Sequence, residues 1–486
     1  MAAEREPLRV VSPTTGESLG TVAAATPDAV RSAVVLGRRA QPLWGAVPVA
    51  ARAAFLRRAA QAVLDELEAL AGLLARETGR PRTEALLAEL LPSVSGLHAL
   101  ADAAAAALGD RRLGRRTARA AGRHAALVQA PVGVVGLRGG AASPWAEPLL
   151  EAAAALVAGN AVVLVPAARL AGDRIAGVLA RAGVPEELMV VLHGVEAAGA
   201  LGGACDAVVE LDPPIAKGTM LVLDGAPLGA VVSGALWAGF AGGGRHPAAV
   251  GRIVTAPGIG RPLAEALAEG TRRLRLGDPS DPTTEIGPLP SRERLAAVEA
   301  AVADAESEGA ERLCGGPVSL DGLGGAFYAP AVLRGVRPGS ELLRDPPPGP
   351  VLAVVEAESA SAAIALADAA GTVSVWAGDR ERGERVARGL RAELTWVNEH
   401  GHAAAAAPVR LARHVRVRQL ASGSSRLRSA RWLPYDPALV RTRITLARVL
   451  FGRESQRLDA VRAGARPAAR TLVRLGREAL ESRRSG

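Results

Sequence analysis

The first part of the chain changes from short strand-like runs to long helical runs. Residues 1–30 alternate apolar and polar positions around the turn sequence SPTTGE, which begins at Ser12, so short strands are expected there. From Thr26 to about Leu108, apolar residues recur every three or four positions, the spacing of amphipathic helices. Gly79 is the expected C-cap of one of these helices. Strand-like runs return on both sides of Pro131.

The middle of the chain alternates strand and helix patterns. Between Val132 and about Leu223, apolar runs such as VGVVGL and AVVLVP are separated by longer helical runs such as PLLEAAAALVAGN. This order is typical of βαβ units, in which a parallel sheet is covered by helices on both faces. A second stretch of the same kind runs from about Leu228 to Asn398. The pattern therefore predicts an α/β protein with a Rossmann-type parallel-sheet lobe and a second α/β lobe.

The C-terminal part has a different pattern. After the connector AAAAAP (403–408) and the linker ASGSSRLRSA, Pro437 opens a helical run, and Pro467 interrupts a later one. Apolar residues recur there at helical spacing on two stripes: Leu439, Val440, Ile444, Ala447 and Leu450, followed by Leu458, Val461, Ala465, Ala468, Leu472, Leu475 and Ala479. We expect amphipathic, basic helices in this tail.

Charge is concentrated in the same tail. The chain carries a net charge of +9, but residues 410–486 hold 19 arginines against five acidic residues, a balance of +14, which leaves −5 for residues 1–409. Such a tail suits an anionic membrane surface or a partner protein, while helices packed on the chain's own core are an equal alternative. Nucleic acid is not expected, because few aromatic residues are interleaved with the arginines.

Other compositional features restrict the chemistry. Two cysteines, Cys205 and Cys314, form neither a disulfide framework nor a metal-binding spacing, and the N-terminus lacks an apolar signal core, so a cytoplasmic protein is expected. The uncharged run 226–244 contains many glycines and is interpreted as a buried helix that enters a loop. Lys217 is the only lysine, a pattern that codon bias towards arginine explains.

The loop FAGGGRHPAAVG, residues 240–251, has the composition of an active-site loop but contains no nucleophile. Its glycines allow close backbone approach, and the side chains that follow are Arg245, His246 and Pro247. His246 could act as a base or a metal ligand. A hydrogen-bonded structural role is the favoured interpretation, because no Cys, Asp or Glu lies at ligand spacing from it.

Several phrases, taken in order, resemble the aldehyde dehydrogenase superfamily over roughly residues 8 to 402. They are SPTTGESLGTV, ETGRPRTEA, PVGVVGL with SPW, AGNAVVLVPA, LRLGDPSDPTTEIGPL, GPVLAVV and TWVNEH. The order and spacing of seven phrases carry the resemblance, since any one of them alone is weak. The resemblance implies a nicotinamide-binding lobe, a catalytic lobe and an oligomerisation element, with aldehyde oxidation through a thiohemiacetal on a cysteine.

The residues that match the family's catalytic positions do not fit this chemistry. The nucleophile position falls on or beside His246, the oxyanion-hole asparagine is matched by Ala146, and the general-base glutamate is matched by Val222 in LVLDG. An imidazole cannot form the acyl intermediate that hydride transfer requires. The resemblance therefore implies a degenerate site in which no residue is assigned a catalytic role.

The cofactor positions differ in the same way. Val165 and Ala168 replace the lysine and glutamate that bind the adenosine ribose, and Pro346 lies near the glutamate that binds the nicotinamide ribose. The segment ELDPPIAKGTM is too short for the family's pyrophosphate-binding turn and helix, so NAD(P) is not expected to bind. Asn398 matches a position near the substrate funnel, and a turn-forming amide is its equal alternative.

These observations predict three regions and a main function with two alternatives. The regions are residues 1–225 (the N-terminal segment and dinucleotide-type lobe), 226–402 (the catalytic-type lobe) and 403–486 (the basic extension). The main hypothesis is a catalytically inactive scaffold or partner-binding subunit, dimeric through the strand RHAALVQ. The alternatives are an active NAD(P)-dependent oxidoreductase with a rearranged site, and a peripheral membrane protein attached through residues 431–486.

Overall fold

The computed structural model describes residues 6–112, 123–212, 217–246, 248–368, 371–401, 407–423, 436–464 and 473. Two compact units are formed, one by residues 1–107 with 131–414 and the other by residues 108–130 with 415–486. The first unit contains both α/β lobes that the sequence predicts.

The first unit begins with an antiparallel hairpin of β1 (Leu8–Val11) and β2 (Ser18–Val22), as the alternating pattern predicts. A series of helices follows: Pro27–Ala46, Val49–Asp65, Leu67–Thr78, Arg82–Glu84, the π-helical Ala85–Leu90, and Leu91–Leu108. Gly79 ends the third of them in the left-handed conformation (φ 72°), and its N–H bonds to the Ala75 carbonyl. The predicted C-cap is confirmed.

A four-stranded parallel sheet forms the first lobe. Its strands are β5 (Val134–Gly139), β6 (Ala161–Pro166), β7 (Met189–Val191) and β8 (Ala207–Glu210), in the order β7-β6-β5-β8. The crossover helices are Ala146–Val157, Arg169–Arg181 and Val195–Ala204. All six residues of β6 are buried, which explains its uninterrupted apolar sequence.

A seven-stranded sheet forms the second lobe in the order β11-β12-β13-β10-β9-β14-β15, with only the β11–β12 pair antiparallel. Its strands are β9 (Gly218–Val222), β10 (Val250–Thr255), β11 (Glu311–Leu320), β12 (Leu323–Arg334), β13 (Val351–Glu356), β14 (Thr372–Trp376) and β15 (Leu394–Val397). Its helices are Leu228–Phe240, Gly260–Arg272, Arg292–Ser307, Glu341–Arg344, Ala360–Ala367 and Arg380–Gly389.

The second unit combines a sheet with the tail helices. The sheet has the order β16-β4-β3, with β3 at Arg111–Arg112, β4 at Arg123–Pro131 and β16 at Val415–Gly423. Helix Pro437–Phe451 is followed by a helical segment at 454–464. A Cβ placed on Gly464 would overlap the Thr445 side chain, so the two helices pack against each other. The first three residues of the linker ASGSSRLRSA, 421–423, belong to β16, whereas residues 424–430 and the members of the apolar stripe after residue 464 lie outside the described residues.

The boundary predicted at residue 403 needs correction. Helix Ala407–Ala412 belongs to the first unit, where the buried Arg410 pairs with Glu147 and Glu151. The buried imidazole of His414 lies 2.8 Å from Glu151, measured from Nε2 to Oε1. Buried charges are retained only when they are paired, so this segment is part of the core. The sequence alone assigns Arg410 to the tail, because an ion pair with residues so distant in the sequence leaves no local pattern.

The uncharged run 226–244 forms helix Leu228–Phe240, which enters a glycine-rich loop as expected. By length and composition alone, one helical stretch of the described chain, Arg82–Leu108, could cross a membrane. Core helices of globular proteins share those properties.

Candidate active site

The glycine-rich loop follows helix Leu228–Phe240, and its backbone is in close contact with neighbouring backbone. Gly242, Gly243 and Gly244 all have positive φ, at 66°, 63° and 65°. A Cβ on Gly244 would overlap the Gly349 carbonyl oxygen, so a side chain has no room at this position. The loop therefore requires glycine for its conformation and for close backbone contact.

His246 has a structural contact within this loop. Its Nδ1 accepts a hydrogen bond from the Ala248 N–H at 3.1 Å, which holds the turn that leads into β10. Beside it lies a cavity of about 10 Å³ lined by residues that include Trp237, His246 and His400. A space of this size holds about one water molecule, and an aldehyde does not fit in it.

A buried cluster of charges lies next to the loop. Arg80 Nη1 is 2.5 Å from Glu84 Oε1, and its Nη2 donates to the Ala142 carbonyl at 2.7 Å. Burial opposes the charge of Arg80, but the carboxylates of Glu84 and Glu89 raise its pKa. Burial and the neighbouring charge of Arg80 lower the pKa of Arg245 to about 10. The charges of the cluster are paired with one another, although Arg80 Nε and Glu89 Oε1 have no hydrogen-bond partner among the described residues.

Ala146, at the position of the oxyanion donor, begins helix Ala146–Val157 and offers no side-chain donor. Its backbone N–H donates to Glu89 Oε2 at 2.8 Å, and the same oxygen accepts from the Trp145 N–H and the Ser143 hydroxyl. Burial raises the pKa of Glu89, while the charge of Arg80 opposes this rise. The donors at this helix N-terminus are thus already used by the chain's own carboxylate.

The structure does not bring Val222 to the loop. Val222 ends β9, where it is buried between Thr255 of β10 and Trp376 of β14. The loop joins the sheet at the opposite end of β9, where the Gly218 N–H donates to the Ala249 carbonyl. The residue that the sequence matches to the general base therefore lies away from the loop, because the loop contacts the amino end of β9 and Val222 is at its carboxyl end.

Neither cysteine is part of the loop. Cys205 precedes β8 beside Gly136, and Cys314 lies in β11 with its Sγ 3.8 Å from the Pro330 carbonyl oxygen. Burial raises the pKa of the Cys205 thiol to about 11 and also raises that of Cys314. Both thiols are therefore protonated at neutral pH, and only the thiolate is nucleophilic.

The cofactor positions in the first lobe are apolar and covered. Val165 lies near the end of β6, and Ala168 is the N-cap of helix Arg169–Arg181 without a side-chain hydrogen bond. Glu77 supplies that cap, because its two oxygens accept from the Leu170 and Ala171 N–H groups at 2.9 Å each. Another carboxylate of the chain thus occupies a helix N-terminus.

Two further predicted positions lie in the second lobe. Pro346 packs beside Gly251 and Lys217, and its ring has no charge to offer a ribose. Asn398 has a φ of 53°, and its Oδ1 accepts from the Ala377 N–H at 2.8 Å. Asn398 therefore forms the turn after β15.

A larger pocket of about 230 Å³ adjoins the loop and was not predicted from the sequence. Apolar side chains dominate its lining, with Glu84 and Glu285 as its two carboxylates. Both carboxylates are already paired with arginines, Arg80 and Arg275. The pocket suits a small, mainly apolar molecule.

Comparison with known proteins identifies the family. The sequence profile described as "Aldehyde dehydrogenase family" matches residues 1–203 and 215–410. The chain belongs to the aldehyde dehydrogenase family. The break in the match, residues 204–214, covers β8 and part of the connection to β9.

Relatives and solved structures agree with this membership. The betaine aldehyde dehydrogenase of Cereibacter sphaeroides is 29% identical over 431 residues, covering 83% of this chain and 88% of that protein. Betaine aldehyde dehydrogenase 1 of Rhizobium meliloti is 28% identical over 420 residues, covering 80% and 85%. Among solved structures, PnpE from Pseudomonas sp. WBC-3 superposes with a TM-score of 0.80 at 23% identity, covering 88% and 96% of the two chains. The NAD⁺ complex of an aldehyde dehydrogenase from Bacillus cereus gives 0.79 at 22%, covering 86% and 93%.

Sequence reasoning missed Glu77 and Glu89, two carboxylates that accept backbone N–H groups at helix N-termini. Glu77 stands in the family phrase ETGRPRTEA, so its position was visible although its role was not. The bonds of these residues join positions that are far apart in the sequence, and no periodicity or motif predicts such contacts.

Proposed function

We propose that this aldehyde dehydrogenase-family chain does not oxidise aldehydes through a thiohemiacetal and serves as a scaffold or partner-binding subunit. The observation that carries the proposal is the absence of any cysteine from the loop 240–251, together with the positions of Cys205 and Cys314 in other elements. Loss of the nucleophile alone from a catalytic unit costs about a millionfold in rate.

The surroundings of the loop support the same proposal. The cavity at His246 is too small for a substrate, and the backbone donors at Ala146 are taken by Glu89. Removal of one oxyanion donor costs about a hundredfold or more in rate. A new thiol would therefore lack oxyanion stabilisation by these backbone donors.

The test is NAD(P)-coupled oxidation of a panel of aldehydes, including betaine aldehyde, by the purified full-length chain. We expect no reduction of NAD or NADP above background. His246→Cys and Pro247→Cys, which place a thiol on or beside the nucleophile position, should be equally inactive. Turnover by either single variant would show that the remaining machinery is intact and would contradict the proposal.

A second candidate is an active NAD(P)-dependent oxidoreductase with a rearranged site. The family membership and the names of the relatives support it, since these proteins are called betaine aldehyde dehydrogenases. It requires NAD(P) binding, which fluorescence titration with NADH and NADPH measures directly. Micromolar affinity together with aldehyde-dependent turnover by the unmodified chain would establish this candidate in place of the first.

A further inference from the structure

The four-stranded sheet has a reversal point at β5. From β5 the chain builds β6 and β7 on one side and then crosses to the other side to form β8. In open parallel sheets of this kind, ligands bind beyond the carboxyl ends of the strands at the point where the order reverses. In this chain the point lies between the ends of β5 and β8.

Three successive backbone donors converge at this point. After β5, the N–H groups of Gly140 and Ala141 donate to Asp212 Oδ2 at 2.7 and 2.8 Å, and the Ala142 N–H donates to Oδ1 at 3.0 Å. Gly139 and Gly140 have φ values of 104° and 90°, which turn the successive N–H groups to one side. Concave groups of backbone N–H are typical sites for phosphate and other anions.

The short connection to the next lobe holds Asp212 in this position. The Leu211 N–H donates to the Arg138 carbonyl at 2.8 Å, so Asp212 begins directly beyond the end of β8. Seven residues, 211–217, separate the end of β8 from the start of β9 in the other sheet, and Asp212 is the second of them. A Cβ on Gly139 would lie 2.7 Å from Asp212 Oδ2, so the carboxylate fills the space at this turn.

The carboxylate of Asp212 is more accessible than that of Glu89. Glu89 is fully buried, whereas Asp212 is only partly buried and Ala141 is exposed. An anion from solution would therefore have to compete with Asp212 alone at this position.

We propose that the Asp212 carboxylate occupies the place at the end of β5 where a bound phosphate group would lie, and that removing this carboxylate exposes a binding site for a phosphate group. The donors of Gly140, Ala141 and Ala142 would hold that group. This inference does not depend on the proposed function, because it concerns backbone donors of the first lobe and not the glycine-rich loop.

The test is thermal unfolding of the full-length chain with and without inorganic phosphate, ADP or adenosine. We expect Asp212→Ser to be stabilised by about 3 °C at about 10 mM phosphate, with the unmodified chain unchanged. A shift with phosphate indicates that the phosphate group alone is recognised, and a larger shift with ADP indicates a nucleotide site. Adenosine, which lacks phosphate, should have no effect.

Asp206→Ser is the matched control. Asp206 also accepts a backbone N–H of β5, from Val134 at 2.8 Å, but at the amino end of the strand and from one backbone donor, with Arg38 as its other partner. Its loss should produce no response to phosphate. Asp212→Asn preserves the side-chain size in case Asp212→Ser does not fold, and a smaller shift in the same direction is expected. A folded Asp212 variant without a phosphate response, or an equal response in the unmodified chain, would overturn the proposal.

Discussion

At the scale of single residues, Lys217 has an environment that departs far from that of an ordinary lysine. It is the only lysine in a chain with 58 basic residues, and codon bias accounts for the arginines without explaining why this lysine is kept. Its ammonium group donates to the Gly349 carbonyl, and within the described residues it has no ion pair. Burial lowers the pKa of Lys217 to about 7. Arginine could not lose its charge in the same place.

The first prediction concerns the titration of this amine. Reductive methylation with labelled formaldehyde gives one lysine signal, which NMR can follow from pH 5 to pH 11, and we expect a pKa near 7. Lys217→Arg should lose that signal and retain only the signal of the N-terminal amine. A lysine pKa close to about 10.4, the value of a free side chain, would contradict the expected environment.

The same shift predicts how stability depends on pH. The folded pKa lies below the unfolded value, so between pH 7 and about 10.4 the unfolded chain binds more protons, and folding becomes more favourable as pH rises. Lys217→Met should therefore stabilise the fold by about 2–4 kcal/mol at pH 7, and this gain should largely disappear by about pH 10. Urea unfolding at the two pH values measures the difference. An equal effect at both would show that the methionine acts through packing.

At the scale of elements, the tail helices keep apolar side chains in solvent. Asp436 caps helix Pro437–Phe451 by accepting from the Ala438 and Leu439 N–H groups. Leu439 and Ala460 are buried, but Phe451 is 60% exposed. The other exposed apolar residues of these helices are Ile444, Leu446, Leu450, Leu458 and Val461. Five arginines lie in the same two helices, at 441, 443, 448, 457 and 462, and Arg453 lies between the helices.

We predict that this helix pair attaches the chain to anionic lipid. The apolar side chains would enter the interface, and each arginine near the headgroups contributes about 1 kcal/mol, a term that salt screens. The full-length chain should co-sediment with phosphatidylserine vesicles at low salt and less at high salt. Removal of residues 436–486 should abolish binding. This truncation spares Arg410 and His414, which the core needs.

Two variants separate the contributions to lipid binding. Replacing Arg441, Arg443 and Arg448 with Gln should lower the partition coefficient about 100-fold and reduce its dependence on salt. Phe451→Ser should weaken binding while leaving the salt dependence unchanged. Vesicle binding that survives the truncation would place the lipid contact elsewhere in the chain.

At the scale of the whole molecule, the sheet of the second unit has an open edge. The strand β16 is the outer strand in the order β16-β4-β3, and its Val417 and Leu420 are 59% and 58% exposed. A long exposed edge strand is a template for pairing with another chain. The strand RHAALVQ, which the sequence associates with oligomerisation, is β4 of this same sheet.

We therefore predict a dimer that pairs through this sheet. Light scattering on the eluted protein should give twice the chain mass of 49.5 kDa. The double variant Val417→Lys and Leu420→Lys should elute as a monomer, because charges on an edge strand oppose pairing. Val195→Lys is the control, since it changes a 90% exposed apolar residue in the other unit. A monomeric unmodified chain would contradict the prediction.

The sequence alone determined the family, the order of elements and the missing thiol. Helical and strand periodicities are local, so the hairpin of β1 and β2, the parallel strands and the Gly79 cap could be read from neighbouring residues. The absence of cysteine from residues 240–251 and the short segment after β8 are also properties of the chain itself.

The tertiary structure alone decided which groups meet at the candidate site. Asp212 reaches Gly140 across 72 residues, and Glu77 reaches Leu170 across 93. Packing of whole elements creates these contacts, and no local pattern records them. For the same reason the sequence could not show that Val222 lies away from the loop, that Arg410 pairs with the core, or that Lys217 is buried. The type of each side chain is known from the sequence, but its partner, burial and charge state depend on residues that only folding brings next to it.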